Sequence, residues 1–284
     1  MTWTSRPCTP DDASAVLALF AAHDAVEFGG TEMEADEVAQ TLAGEGPSWV
    51  ALDGRPVGFA HVQPGGDCDT VVDPDYDPAL RPALVVELVE RARELGVGRL
   101  EHWAGPGMRL TGPALAPHGF RHARTSWHLR RELTHLPGPQ WPDGVGLSPF
   151  RAERDARQVW ALVTEAFAGT SFGRARTFKE WSRLLLAGNE VLTARRGQTL
   201  VGCATHGIRF GEGYVGQLAV SPAERGKGLG RALLLEVFRM DATGGRRGTR
   251  LIVDGANVSA RRLYDGVGME VTNEYWRWDL DLPS

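Results

Sequence analysis

The sequence is short of cysteine, of long apolar runs and of excess positive charge. Its three cysteines, Cys8, Cys68 and Cys203, are scattered and form no C-x-x-C pair, which disfavours a disulfide framework or a zinc site and favours a reducing cytoplasm. No apolar segment resembles a signal peptide or approaches the ~18 residues of a membrane helix. A net charge of −5 argues against a general nucleic-acid binder. These absences predict a soluble protein with no metal, membrane or nucleic-acid partner.

The chain is long enough for two domains and contains a repeat. Its 284 residues are 42% hydrophobic and 24% charged, as in globular proteins. The helical segment ALVVELV at Ala83 resembles ALLLEVF at Ala232, and residues 119–127 resemble residues 268–276. Residues 134–144 are dense in proline and glycine, which is typical of a linker. We predict two similar α/β domains with mixed sheets, at residues 1–133 and 145–284.

A strand, a glycine-rich loop and a helix follow one another between Tyr214 and Asp241. A run rich in Val and Leu ends at Ser221-Pro222, and a basic, glycine-rich segment then leads into an amphipathic helix. Glycines let successive backbone N–H groups point at one ligand, and the helix start adds free donors and the positive end of its dipole. This order predicts a phosphate or pyrophosphate site. The loop matches neither the P-loop nor the dinucleotide-binding GxGxxG pattern.

A second motif occupies residues 257–269. Asn257 is suited to cap a helix, and Gly268 can end that helix in a left-handed conformation. Between them Ala260, Leu263 and Tyr264 recur at the spacing of one helix face, so the segment predicts a short helix that presents Tyr264 on its packed side.

Together the two segments resemble the GNAT superfamily of acyl-CoA N-acyltransferases. The first carries R-x-x-G-x-G at Arg225, Gly228 and Gly230, and the second is similar to N-x-x-A-x-x-L-Y-x-x-x-G-F, with Met269 in place of Phe. The resemblance implies two tandem GNAT-like domains and acetyl-CoA as cosubstrate, with its pyrophosphate held by the loop. The residues expected to bind acetyl-CoA are Leu218, Ala219, Val220, Arg225, Gly226, Lys227, Gly228, Leu229, Gly230, Arg231 and Asn257.

The resemblance also implies two catalytic functions. Tyr264 would lie near the CoA sulfur and protonate the departing thiolate, whereas the structural alternative is an ordinary core aromatic. A phenol with a pKa of ~10 is a suitable donor to a thiolate whose acid has a pKa of ~8.5. A backbone N–H around residues 218–220 would polarise the acetyl carbonyl.

The general base has several candidates. Members of the family that retain its catalytic residues carry a glutamate at the position of Tyr214, where it serves as the general base. Glu212 lies two residues earlier on the same face of a continuous strand, so we predict that it takes this function through a water. The structural alternative is a solvated turn residue between Gly211 and Gly213. Asp254, at the end of a later strand, and His206 are alternatives, and an acceptor that arrives neutral needs no base.

The first half lacks the residues that this chemistry needs. Opposite the glycine loop stands DPDYDPALRP, at residues 73–82, where prolines remove N–H donors and aspartates repel a pyrophosphate. No tyrosine matches Tyr264. We predict that residues 1–133 form a degenerate GNAT-like domain that has lost the ability to bind CoA. This domain would pack on the second domain and contribute to the lining of the acceptor site.

The favoured function is an N-acetyltransferase. It would move an acetyl group from acetyl-CoA to the primary amine of a small molecule, by direct attack in the domain at residues 145–284. Two alternatives stay open. One is a non-catalytic acyl-CoA sensor or scaffold, motivated by the missing strand glutamate. The other is a peptide or protein N-acetyltransferase, which the acidic balance would suit.

Overall fold

The chain divides into two compact units. The computed structural model describes residues 3–31, 33–105, 110–168, 170, 177–186 and 189–283. The first unit contains Met1–Ser126 and Asn273–Ser284, and the second contains Trp127–Thr272. Over the described ranges, no helix combines the length and the apolar character that a membrane crossing requires.

The first unit is a mixed sheet with helices on both faces. Its elements in chain order are β1 (Thr4–Pro7), α1 (Ala13–Glu27), α2 (Ala35–Leu42), β2 (Ser48–Leu52), β3 (Pro56–Val62), β4 (Asp67–Val72), α3 (Leu80–Glu94), β5 (Arg99–Ala104), α4 (Gly112–Leu115) and the first part of β6 (Arg121–Glu132). The last strand of the sequence, Glu270–Asp281, pairs with β5 over Trp276–Asp281. β4 and β5 are parallel, and the other recorded pairs of this unit are antiparallel.

The second unit repeats this plan. Its elements are the second part of β6, β7 (Val145–Ser148), α5 (Ala152–Phe167), α6 (Phe178–Leu186), β8 (Glu190–Arg196), β9 (Thr199–Arg209), β10 (Glu212–Val220), α7 (Leu229–Thr243), β11 (Gly248–Asp254), α8 (Val258–Gly266) and the start of β12 (Glu270–Asp281). The strand order is β6-β11-β10-β9-β8-β7, with β10 and β11 parallel. β10-β9, β9-β8 and β8-β7 are antiparallel.

Strand alternation builds two cores in the second unit. Ala204 of β9 faces α7 and joins a cluster with Leu229, Leu233 and Phe238. Its neighbour Cys203 points to the other face and packs with α5 and α6. Because successive side chains of a strand point to opposite faces, a nearly continuous apolar run buries both faces of the sheet.

The elements follow the sequence-based predictions closely, with one strand missed. The sequence pattern predicts a helix at residues 152–167, which is α5, and a strand at 250–254, which is β11 with two more residues at its start. β1 was not predicted, because its four residues are all exposed and carry no apolar alternation. Helix ends predicted at Arg109 and Ala187 lie outside the described residues.

Each unit contains a strand from the opposite half of the predicted repeat. Residues 127–132 of β6 belong to the second unit, although they precede the linker, and residues 273–281 of β12 belong to the first. The predicted domain boundaries at residues 133 and 145 stay a prediction.

Candidate active site

The candidate site lies in the second unit, where two parallel strands separate. β10 and β11 are paired at Gly213–Val215 and Thr249–Leu251, and the recorded ladder ends there. A register shift between Val215 and Gln217 marks a bulge in β10 at the same level. Beyond it, a cavity of about 690 Å³ opens between the ends of β10 and β11 and the starts of α7 and α8.

The lining of this cavity includes most of the predicted acetyl-CoA residues. It contains, among those residues, Leu218, Val220, Arg225, Gly226, Gly228, Leu229, Gly230, Arg231 and Asn257, together with the predicted proton donor Tyr264. Ala219 points to the opposite face of the sheet and packs with α5, and Lys227 lines a neighbouring groove instead. Ala166 and Thr170, at the end of α5, also line the cavity and were not predicted.

The end of β10 presents backbone groups to the cavity. Ser221 N–H donates to Val201 O of β9 at 2.9 Å. N–H groups alternate in direction along a strand, so Ala219 also faces β9, whereas the amides of Leu218 and Val220 face the gap left by β11. Both of these residues line the cavity. Two main-chain polar groups are therefore aimed at the space where a ligand carbonyl would bind.

The glycine loop has the backbone conformation of an anion cradle. Gly226 and Gly228 have φ values of 76° and 87°, in the left-handed region, and their α-carbons face open space. Gly228 is the N-cap of α7 and supplies no side-chain cap, so the first N–H groups of this helix are left for a ligand. A side chain at Gly230 would approach Leu263 Cδ2 at 3.2 Å, which shows how closely α7 and α8 approach here.

An ion pair between buried Glu224 and exposed Arg196 lies directly beside this loop. Glu224 also lines the cavity, and its carboxylate alone would repel a phosphate. Arg196 of β8 binds both of its oxygens and lowers the pKa of Glu224. Glu224 is therefore neutralised by a partner from the sheet, which leaves the positive charge of Arg225 for a ligand. The sequence-based prediction missed this pair, and the signal available was an acidic residue next to Arg225 in a loop that binds anions.

Tyr264 faces the cavity from α8. Asn257 caps this helix, as predicted, and its Oδ1 accepts from Ala260 N at 3.0 Å. Tyr264 is 8% exposed, and its hydroxyl makes no hydrogen bond within the described part of the chain. Burial raises the pKa of Tyr264 to about 12, so its phenol is protonated at neutral pH. A protonated hydroxyl at the wall of the cavity is suited to donate to a ligand atom.

Glu212 occupies a different environment from the one its predicted function requires. It begins β10, about 20 Å along the strand from Leu218 at ~3.3 Å per residue, and it is not among the residues that line the cavity. Arg130 Nη2 and Arg250 Nε each approach its carboxylate to 2.6 Å. These guanidinium groups lower the pKa of Glu212, Arg130 most strongly, and thereby disfavour proton uptake. Its placement is that of a structural ion pair, for which the spacing to Tyr214 gave no signal.

The two alternatives for the base are placed differently from each other. His206 is 3% exposed and is bound through Nε2 to Asp241 Oδ1 at 2.8 Å, among the side chains under α7. It does not line the cavity. Asp254 does line it, at the end of β11. One of its oxygens, Oδ1, accepts from Ala256 N at 2.7 Å, which fixes the carboxylate at the turn into α8.

The equivalent loop of the first unit has no such cradle. Asp73 Oδ1 accepts from Asp75 N at 3.0 Å, and Asp77 Oδ1 accepts from Ala79 N at 2.9 Å. Two carboxylates of this segment therefore bind backbone donors of their own, one within the loop and one at the N-cap of α3.

Comparison with known proteins supplies the family. Residues 156–269 match the model of the Acetyltransferase (GNAT) family. Mycothiol acetyltransferase from Thermobispora bispora is 32% identical over 295 residues, and the alignment covers 96% of each chain. The chain belongs to the GNAT acetyltransferase family. As a GNAT protein it is an acyl-CoA-dependent acetyltransferase, and acetyl-CoA is the acetyl donor that this family uses.

Solved GNAT structures share the fold over the whole chain. A GCN5-related N-acetyltransferase from Sphaerobacter thermophilus has a TM-score of 0.82 at 25% identity, covering 98% of this chain and 95% of its own. A tandem GNAT protein from the clavulanic acid biosynthesis pathway has a TM-score of 0.79 at 16% identity and covers 100% of both chains. The prediction of two tandem GNAT-like domains is confirmed as a fold class.

Proposed function

We propose that the second unit transfers the acetyl group of acetyl-CoA to the primary amine of a small molecule by direct attack. The observation that carries this proposal is the cavity itself, in which the loop cradle, the outward amides of β10 and the Tyr264 hydroxyl line one space. Arg225 and the N–H groups of Gly228 and Leu229 hold the pyrophosphate. The amide of Leu218 or Val220 binds the carbonyl oxygen as negative charge develops on it.

The reaction needs one bond made, one bond broken and two proton transfers. The amine nitrogen forms the new C–N bond to the acetyl carbon, and the C–S bond breaks. Tyr264 gives its proton to the departing sulfur. A base takes the proton that the nitrogen loses, and positioning of the two reactants lowers much of the barrier.

We assign the base to Asp254. Of the candidates at Glu212, Asp254 and His206, it is the one that lines the cavity. Its Oδ1 is fixed by Ala256 N–H, so the carboxylate is held in one orientation at the cavity wall. It accepts the amine proton directly or through one water.

The comparisons suggest which acceptor to test first. The Thermobispora bispora relative is named mycothiol acetyltransferase. We propose a small amine of the mycothiol class as the first acceptor in the assay. The first unit binds no acetyl-CoA in this proposal, because its loop lacks the glycines and its own aspartates bind backbone donors in the loop and at the N-cap of α3.

Calorimetry with a matched pair of variants tests donor binding. Acetyl-CoA should bind the wild-type chain with a stoichiometry near one. Gly228→Asp should abolish binding, since it adds a negative charge and a side chain at a left-handed position. Gly211→Asp is the control: Gly211 is also left-handed, with φ of 72° and open space around it, but it lies in the turn before β10. Equal binding by the two variants would refute the cradle.

Thiol release from acetyl-CoA tests the acceptor class. Small amines, among them mycothiol-type acceptors, should support turnover, and peptides with free amino groups should not. Faster turnover with peptides would favour the protein-acetylation alternative. Binding without turnover across both panels would favour the sensor alternative.

A further inference from the structure

A second groove lies beside the glycine loop, with a volume of about 340 Å³. One wall comes from the segment that precedes β7, through Pro137, Gly138, Gln140, Trp141 and Pro142. The other wall comes from the loop and the first turns of α7, through Lys227, Gly228, Arg231 and Leu235. The first wall lies outside residues 156–269, the part of the chain that the family model matches.

The groove is continuous with the candidate active site. Gly228 and Arg231 line both the groove and the larger cavity. Tyr264 and Asp254 line only the larger cavity, and Trp141 and Lys227 line only the groove. A ligand that passes from one to the other therefore meets Tyr264 first, the cradle next and the linker segment last.

Acetyl-CoA has its chemical groups in the same order. The acetyl thioester and pantetheine arm come first, the pyrophosphate is in the middle, and a 3′-phosphorylated adenosine forms the far end. With the pyrophosphate on the cradle and the thioester towards Tyr264, the adenosine lies on the side of the groove. A purine needs a flat apolar surface, and a phosphate monoester needs a cation.

The groove supplies both features. Trp141 is half-buried and packs against the core cluster that contains Leu229 and Leu233, so its ring is held in place. Prolines flank it, and the amide of Gln140 is available to the edge of a base. Lys227 is exposed, and its Nζ lies 3.4 Å from Glu224 Oε2, whose charge Arg196 already balances.

We propose that residues 137–142 form the nucleotide subsite of the acetyl-CoA site, with Trp141 as the stacking surface for adenine and Lys227 as the partner of the 3′-phosphate. The linker is then part of the binding site as well as a connection between repeats. This inference rests on the proposed function.

Truncated donors test the subsite, because acetyl-3′-dephospho-CoA lacks only the 3′-phosphate and S-acetyl-4′-phosphopantetheine lacks the whole 3′-phospho-AMP moiety. Calorimetry compares acetyl-CoA, acetyl-3′-dephospho-CoA and S-acetyl-4′-phosphopantetheine on the full chain. Trp141→Ala should weaken the binding of acetyl-CoA and of acetyl-3′-dephospho-CoA by about tenfold or more, because stacking on adenine is lost. It should leave the binding of S-acetyl-4′-phosphopantetheine unchanged, because that donor has no adenine. Trp141→Phe keeps an aromatic surface and should bind all three within about threefold of wild type. Trp160→Ala, which removes a half-buried Trp from α5, controls for general destabilisation.

Lys227→Gln isolates the phosphate contact. This variant should bind acetyl-CoA about tenfold more weakly than wild type and bind the 3′-dephospho donor with unchanged affinity. Lys179→Gln on α6 is the control. Equal losses for all three donors in Trp141→Ala, or no loss for any, would overturn the adenine assignment. Equal losses for the two nucleotide donors in Lys227→Gln would overturn the phosphate assignment. Failure of the wild-type chain to bind acetyl-CoA is a different result, which would refute the proposed function and this inference with it.

Discussion

Arg196 holds both carboxylate oxygens of Glu224, with Nε 2.9 Å from Oε1 and Nη2 3.0 Å from Oε2. This pair joins β8 to the loop that receives the acetyl donor. It sets the local charge, because Glu224 is 5% exposed and lines the same cavity as Arg225. A negative charge so close to a pyrophosphate is acceptable only when it is neutralised.

Arg196→Gln should therefore weaken acetyl-CoA binding by about tenfold, since it leaves Glu224 beside the donor with only the longer contact to Lys227. The double variant Arg196→Gln, Glu224→Gln removes both charges and should bind within about threefold of wild type. Calorimetry at two salt concentrations measures the effect, which should shrink as salt screens the repulsion. Equal losses of acetyl-CoA affinity in the single and double variants would show that the pair acts by fixing the loop conformation and not by balancing charge.

Asp254→Asn and Glu212→Gln form a second comparison. Asp254→Asn should lower kcat by about 10²–10⁴-fold, in the range expected for loss of a general base, with the Kd for acetyl-CoA unchanged. Glu212→Gln should keep kcat within about threefold and lower Tm, because it leaves Arg130 and Arg250 without their shared partner. Steady-state kinetics measures kcat, and thermal melts measure Tm. A large kcat loss in Glu212→Gln alone would restore Glu212 as the base.

Tyr264→Phe should lower kcat by about 10–100-fold and leave acetyl-CoA binding intact, since only the donated proton is lost. Because burial raises the pKa of Tyr264 to about 12, the phenol stays protonated through the range accessible to an assay. The wild-type kcat should therefore show no loss of activity from this group below about pH 10. A descending limb near pH 8–9 that disappears in Tyr264→Phe would contradict this.

A half-buried carboxyl, that of Asp69, makes the stability of the first unit depend on pH. Burial raises the pKa of Asp69 to about 8, and the charges of Asp24 and Asp67 act in the same direction. The unfolded chain ionises Asp69 near pH 4, whereas the folded unit keeps it neutral until about pH 8. The free energy of unfolding therefore falls as pH rises through this window.

Asp69→Asn removes the titration. It should raise the stability of the chain by about 1–3 kcal/mol at pH 8 relative to wild type, and by much less at pH 4.5. Chemical denaturation at the two pH values measures this difference. Asp36→Asn, on exposed α2, is the control and should show no such dependence on pH.

The local parts of the site could be predicted from the sequence because they depend on backbone chemistry within a few residues. The left-handed Gly228, the Asn257 cap and the helix that carries Tyr264 each follow from residue types at fixed spacing. A run from Tyr214 to Val220 likewise predicts the strand that leads into the loop.

The long-range parts could not be predicted in this way. Glu212 shares a strand face with Tyr214, but nothing near it in sequence indicates that Arg130 and Arg250 will meet its carboxylate. Arg196 and Glu224 come together across the sheet for the same reason. The final strand has the same periodicity whichever sheet it joins, so its place beside β5 carries no local signal.

That final strand has a consequence for biogenesis. Residues 273–281 complete the sheet of the first unit, although the ribosome makes them after the whole of the second unit. The first part of the nascent chain must therefore wait, with an unfinished sheet edge, until the second unit has been synthesised, and no single cut in the gene separates two self-sufficient folding products. The unit whose synthesis begins first is therefore completed only after the other one in this enzyme.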